Sequence, residues 1–345
     1  MPKLTATYKI TLPEPFLCEY PEGKKSAPLA ADDRLFHVNI NGFDVEIELG
    51  DFSGSGKGRV DFPMATEITS VTFRVTRDEP ESPPVVQPEK NGTTNLAPLI
   101  EYLWKKQKEY NPVVEQLIER LSIYFRFRAG HPLVHLHPER GQRRFMNPVW
   151  TDEAGSTVWD RDTIFSASGS ASLRLYPRWD VIAYKPDDRP SLLAALERPL
   201  EQELFEEFLA DAKDAVATGN IRRAVLELAI ACEVAIKHVY FERESHADAA
   251  FSYLEEKGLA RARVLDFLNA IAFRAFGHSL RTDDPDCNQR IDDLFQCRNK
   301  IAHRGTPIFR DKHGNVKTAD YALLLEWWSA VKKAIDWLKG LAARA

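Results

Sequence analysis

The 345-residue sequence predicts an α+β chain in two parts, a β-rich domain with a helical pair followed by an all-α antiparallel bundle. Three observations carry this. The chain is long for a single hydrophobic core. Its first 190 residues are rich in period-two alternation broken by turn residues. From about residue 191 the apolar period becomes 3.6 and holds to the end, with short connections of the kind that join antiparallel helices. The expected domains are therefore residues 1–190 and 191–345.

TATYKITL, LFHVNINGFDVEIEL, GRVDF and ITSVTFRV read as strands within the first 80 residues. ESPPVVQPEKNGTTN is a Pro- and Gly-containing connector. Two helices are expected next. Leu96, Leu99, Ile100, Leu103, Trp104 and Gln107 trace one helical face, and Asn111 reads as the N-cap of a second helix with Pro112 in its first position. FRFRAG reads as an edge strand or a helix end with one wet face, and HPLVHLHPE, SASLRLYP and WDVIAYKP resume the strand pattern.

In the second part, Leu204, Phe205, Phe208, Leu209, Ala212, Ala215 and Val216 point inward from one helix that closes near Gly219. Ile221, Ala224, Val225, Leu228, Cys232, Ala235, Ile236, Val239 and Tyr240 form an unbroken stripe along the next. Shorter helices are expected around 247–257 and 260–276, ending at Gly258 and Gly277. CNQRIDDLFQCRNKIAHR and YALLLEWWSAVKKAIDWLKGL supply two more.

Composition narrows the function. The formal net charge is −5, with 24 Lys+Arg against 27 Asp+Glu up to residue 190 and 22 against 24 beyond it. A chain-wide basic surface for nucleic acid is excluded, so such a contact needs a local patch. Cys18, Cys232, Cys287 and Cys297 include no C-x-x-C pair, which fits a reduced protein without a zinc ribbon. No signal-like or membrane-spanning apolar run is present, and AVLELAIACEVAI is broken by Glu227 and Glu233. The expected location is the cytoplasm, away from membranes.

The segment FQCRNKIAHRGTP, residues 295–307, is the most informative. It places Arg298, Asn299 and His303 at the end of a helix that stops at Gly305 and Pro307. Arg298, then four residues, then His303, with Asn299 directly after the arginine, resembles the R-x(4–6)-H motif of the HEPN family (higher eukaryotes and prokaryotes nucleotide-binding). The order of helices over roughly 195–345 resembles that family's bundle. The first 190 residues carry no such resemblance. It implies a metal-independent endoribonuclease needing no cofactor, acting as a homodimer with two motifs in one cleft. Members with an extra domain are often toxins or anti-phage effectors, which implies an antitoxin or a phage trigger as a further partner. Other members are non-catalytic binding or sensor modules that use the helices for dimerisation or nucleotide binding, and this is the alternative expectation.

The residues suit the chemistry. Attack of an RNA 2′-hydroxyl on the adjacent phosphorus needs proton transfer and a cation on the crowded phosphorane. A histidine titrating near neutrality can move the proton, and an arginine fork fits phosphate oxygens. Five positions of helix separate Arg298 and His303 by about 140°, which suits a cleft between two protomers, while Asn299 and His303 share a face. Lys300, Arg304, Arg310, Lys312 and Lys317 are candidate RNA-phosphate contacts, and between 298 and 317 only Asp311 opposes them. Glu233, beside Cys232, either positions the arginine or histidine from a neighbouring helix or faces solvent. A plainer reading also stands, in which Arg298 and His303 are cations placed favourably at a helix C-terminus.

Other candidates are weaker. His135, His137 and Glu139 alternate on a strand-like run but lack an evident third metal ligand, so no metal site is expected. DFSGSGKGRV fails the spacing of a phosphate loop. Trp327 and Trp328 fit core and dimer packing better than base stacking.

Overall fold

The computed structural model describes residues 1–19, 30–53, 65–85, 95–131, 147–160, 184–241 and 263–344. The chain forms two compact units, Met1–Glu201 and Gln202–Ala345. The GRVDF and SASLRLYP runs, the Gly-Ser loop before Arg59 and the helix expected at 247–257 lie outside the described residues, as do HPLVHLHPE beyond His131 and WDVIAYKP before Tyr184.

The first unit is built on an antiparallel sheet. Strands β1 (Lys3–Glu19), β2 (Leu35–Ile40), β3 (Phe43–Ser53), β4 (Ala65–Asp78), β5 (Val149–Thr151) and β6 (Thr157–Trp159) stand in the order β2-β3-β4-β1-β5-β6. A one-turn helix, α1 (Ala31–Arg34), leads into β2. The β2–β3 connection is two residues, Asn41 at φ 53° and Gly42 at φ 81°, so both sit in the left-handed region that a twist-matched hairpin turn requires. β1 is central and pairs with β4 from Lys3↔Asp78 to Glu19↔Ala65, with a bulge between Thr11 and Phe16. Leu4, Ala6 and Tyr8 of β1 and Val71, Phe73 and Val75 of β4 bury one face within a single apolar core.

That core is completed by helix α2 (Ala97–Ile123). Two helices were expected here, with Asn111 as a cap; the structure instead runs one helix straight through Pro112. An interior proline removes a backbone hydrogen bond and costs about 3 kcal/mol. Leu99, Leu103 and Tyr110 before it and Val113, Val114, Leu117 and Leu121 after it are all buried. At about 1.5–3 kcal/mol per large apolar side chain, their common face outweighs the break. Asn111 is used otherwise, accepting a 2.9 Å bond from the Tyr8 hydroxyl. FRFRAG forms the helix end: Tyr124–Arg128 is π-helical, and Phe125 stacks on Phe16 with ring centres 3.7 Å apart.

One charged group lies inside this unit. Glu79 is fully buried and meets Lys106, Arg77 at 2.8 Å and the Tyr110 hydroxyl at 2.9 Å. Burial alone pushes its carboxyl up, but the bonds from Lys106, Tyr110 and Arg77 outweigh this and hold it below its ordinary value.

Helix α3 (Arg189–Glu197) moves the division from residue 190 to 201. It belongs to the first unit because Arg120 of α2 donates to the carbonyls of Leu196 and Glu197, and Arg189 donates to those of Asp32 and Leu35 at 2.9 Å.

In the second unit, α4 (Leu204–Ala217) and α5 (Ile221–Phe241) are joined by Thr218–Asn220. Gly219, at φ 74°, makes the turn. Then α6 (Val264–Asp266), a π-helical turn (Phe267–Ile271) and α7 (Ala272–Phe276) run on without a break, followed by α8 (Leu280–Asp283). Helices α9 (Pro285–Arg304) and α10 (Tyr321–Ala342) complete the set. Side-chain contacts fix their directions. His238, late in α5, and Lys339, late in α10, both meet Glu203 at the start of α4. Arg222, early in α5, meets Gly305 at the end of α9. Cys287 of α9 reaches Ala330 of α10. The four long helices therefore run up, down, up, down.

Two expectations need correction here. The second unit is not purely helical, because strands β7 (Ile308–Arg310) and β8 (Val316–Thr318) form a hairpin between α9 and α10. Phe309 anchors it, buried against Trp327 with ring centres 5.6 Å apart. Leu204, expected to face inward, is 56% exposed, and Phe205 takes the buried position beside it.

Candidate functional site

Helix α9 presents the Arg298–His303 segment at the end of the bundle. Asp284 caps its start by accepting from the Cys287 amide at 3.0 Å. Cys287, Ile291, Leu294, Cys297 and Ile301 form its buried stripe. A helix anchored on that stripe must turn Asn299, His303 and Arg304 outward, and all three are exposed; Arg298 and Lys300 are half-buried at its margin. The helix stops at Gly305, whose φ of 64° lets its amide bond the Ile301 carbonyl at 2.8 Å.

Arg298 donates from Nη1 to Asn299 Oδ1 at 3.1 Å. Its guanidinium is thereby drawn round the helix toward the face that Asn299 shares with His303. Asn299 uses its carbonyl oxygen on Arg298, leaving its two amide protons to donate. Among the described residues, no side-chain hydrogen bond or ion pair involves His303, and no carboxylate lies within ion-pair distance of Arg298, Lys300 or Arg304.

The hairpin contributes less charge than expected. Lys317 Nζ lies 3.5 Å from Asp311 and 3.9 Å from Asp293, so two carboxylates share its ammonium. Slight desolvation favours the neutral Asp311 acid, but bonds from the Asn315 and His313 amides, the Asn315 side chain and Lys317 hold its carboxyl below the usual range. Burial pushes the Asp293 carboxyl up. Arg310 spends one N–H on the Gly314 carbonyl at 3.0 Å, and Lys312 is exposed.

Among the described residues Glu233 makes no bond to Arg298, Asn299 or His303; it pairs with Lys237 of its own helix at 3.1 Å.

The structure adds one residue that the sequence did not single out. Arg222, exposed in the first turn of α5, donates from Nη1 to the Gly305 carbonyl at 3.2 Å. Its neighbour Arg223 is instead taken up by Glu227 at 3.3 Å and Asp211 at 3.9 Å. Nothing in the periodicity of α5 separates these two arginines; only the packing of α5 against α9 does.

All four cysteines are buried thiols outside any disulfide. Burial pushes the thiols of Cys287 to about 11 and Cys297 to about 12, and that of Cys232 higher still, so none of these three is poised as a nucleophile. Among the described residues no three His, Cys, Asp or Glu side chains gather as a metal site, and no helix is long and apolar enough to cross a membrane. His135, His137 and Glu139 fall outside the described residues. No family model, curated protein or solved structure matches the sequence.

Proposed function

We propose that the chain is a HEPN-type, metal-independent endoribonuclease of the toxin or anti-phage class, acting as a homodimer that joins two copies of the motif. The observation that carries this reading is the outward Arg298–Asn299–His303 group on the last turns of α9, where Arg298 is hydrogen-bonded to Asn299 and free of carboxylates among the described residues.

In the reaction, the RNA 2′-oxygen bonds to phosphorus and the bond to the 5′-oxygen breaks. The 2′-hydroxyl loses its proton, and the departing oxygen gains one. One His303 takes the first proton, and the partner's His303 delivers the second. Arg298 holds the non-bridging phosphate oxygens, and Asn299 keeps the guanidinium in place while its amide protons remain available. The products are a 2′,3′-cyclic phosphate and a 5′-hydroxyl.

The test is cleavage of RNA in EDTA by the wild type and by His303→Ala at matched folding and oligomeric state. A loss of about 10²–10⁴-fold in the variant, with cyclic phosphate ends from the wild type, is expected. Equal cutting by both rejects the assignment. Absence of cutting by the wild-type dimer on every RNA tried favours the non-catalytic binding role instead.

A further inference from the structure

We propose that Arg222 is an RNA-phosphate contact, and that the polyanion-binding surface lies on the bundle end formed by Arg222, Arg298, Lys300 and Arg304 and not on the paired Lys317 of the hairpin. This rests on the RNA reading above for the identity of the polyanion and on geometry for the rest.

The Arg222 bond to the Gly305 carbonyl places its guanidinium one residue from Arg304, although the two are 82 positions apart in sequence. A guanidinium has five N–H donors, and this bond uses one. Of the two consecutive arginines, Arg223 is committed to Glu227 and Asp211, whereas Arg222 has no carboxylate within ion-pair distance among the described residues. The same holds for Arg298, Lys300 and Arg304, so four uncompensated cations meet where α5 begins and α9 ends. On the hairpin, Lys317 is shared by Asp311 and Asp293 and has less to offer a phosphate.

The remaining charge of α9 points the same way. In its first half Asp284 is paired with Lys333 and Asp293 with Lys317, but Asp286 and Asp292 still outnumber Arg290, so a nucleic-acid strand is favoured at the other end. Arg222 thus has two roles in one position: it satisfies a carbonyl at the end of α9 and presents its remaining donors to the strand.

The test uses a fluorescent, fully 2′-O-methylated single-stranded RNA, which cannot be cut, so binding is measured apart from cleavage. Its affinity is followed against NaCl concentration for the wild-type dimer, Arg222→Gln, Arg222→Lys and Lys317→Gln, with melting temperatures alongside. Loss of one phosphate contact lowers the salt slope by about 0.7, which is about fivefold in affinity at 0.1 M salt. Arg222→Gln should show that loss, Arg222→Lys should keep most of the slope, and Lys317→Gln should stay within about twofold of wild type. Wild-type affinity and slope in Arg222→Gln, with only a lower melting temperature, overturn the proposal and leave Arg222 as a helix-end clamp. A larger loss in Lys317→Gln, or no binding by the wild type at low salt, overturns it too. If the wild type binds with the expected signature but cuts no RNA in EDTA, the nuclease reading fails and the phosphate surface stands.

Discussion

Replacing Glu79 with alanine takes the carboxylate from a buried cluster and leaves the Lys106 ammonium, itself only 9% exposed, without that partner. It also takes one of two acceptors from the Tyr110 hydroxyl, which keeps the Leu4 carbonyl at 3.1 Å, and strands one arm of Arg77. Removing one member of a buried ion pair costs about 3–5 kcal/mol, because the surviving charge stays desolvated. For a unit of about 200 residues, where 1 kcal/mol moves the melting point by roughly 2–4 °C, the expected fall is about 6–20 °C. The wild type carries a matching pH signature. The carboxyl of Glu79 is lowered in the folded state, so its contribution is fully present above the unfolded value near 4.5 and is lost as pH falls through the lower folded value. Calorimetry from pH 7 down to 3 should therefore show the first unit losing stability faster in the wild type than in Glu79→Ala, with the two curves converging at the acid end. Glu79→Ala combined with Lys106→Met should recover part of the loss, since no unpaired ammonium remains. A fall of less than 2 °C at pH 7, or parallel pH curves, would refute the account of Glu79 as a stabilising ionised group.

The remaining predictions concern single elements. Pro112→Ala, at an exposed position inside the continuous helix α2, restores a backbone donor without disturbing the core; it should raise the melting temperature of the first unit by several degrees, for a gain of about 1–3 kcal/mol. A decrease would mean that the proline is favoured where it stands. Phe309→Ala removes the buried anchor of the hairpin and should cost about 3–5 kcal/mol, with proteolysis between Ile308 and Thr318 appearing before global unfolding. Protection equal to wild type would show that the hairpin holds without Phe309.

Long elements with one buried face were readable because periodicity reports burial directly: the stripe of α5 and the alternation of β2, β3 and β4 appear in the structure as expected. The failures occur where distant residues decide. Pro112 is a strong local stop signal, yet apolar burial on both sides of it carries the helix through. Strands β7 and β8 are three residues each, with Phe309 as the buried anchor, too short for alternation to register. Of the site, the Arg298–Asn299–His303 segment and its glycine stop were legible because they are local. The Lys317–Asp293 pair was not legible because Asp293 lies on another element, nor was the bond of Arg222, whose partner is 83 residues away. Glu233 was left open by the sequence because its pairing with Lys237 depends on rotamers that periodicity does not report.

Strand β1 has a consequence for synthesis. It is synthesised before both of its neighbours, β4, ending at Asp78, and β5, which begins at Val149. At 5–20 residues per second, translating the roughly 70 residues between them leaves one edge of β1 unpaired for about 4–14 s. An open edge is a template for pairing with other chains, so a nascent chain stalled in this interval is where aggregation should begin. The second unit, made of successive helices with mostly local contacts, has no comparable wait. Codon changes that slow elongation between residues 79 and 148 should therefore lower the soluble yield more than the same changes placed after residue 202.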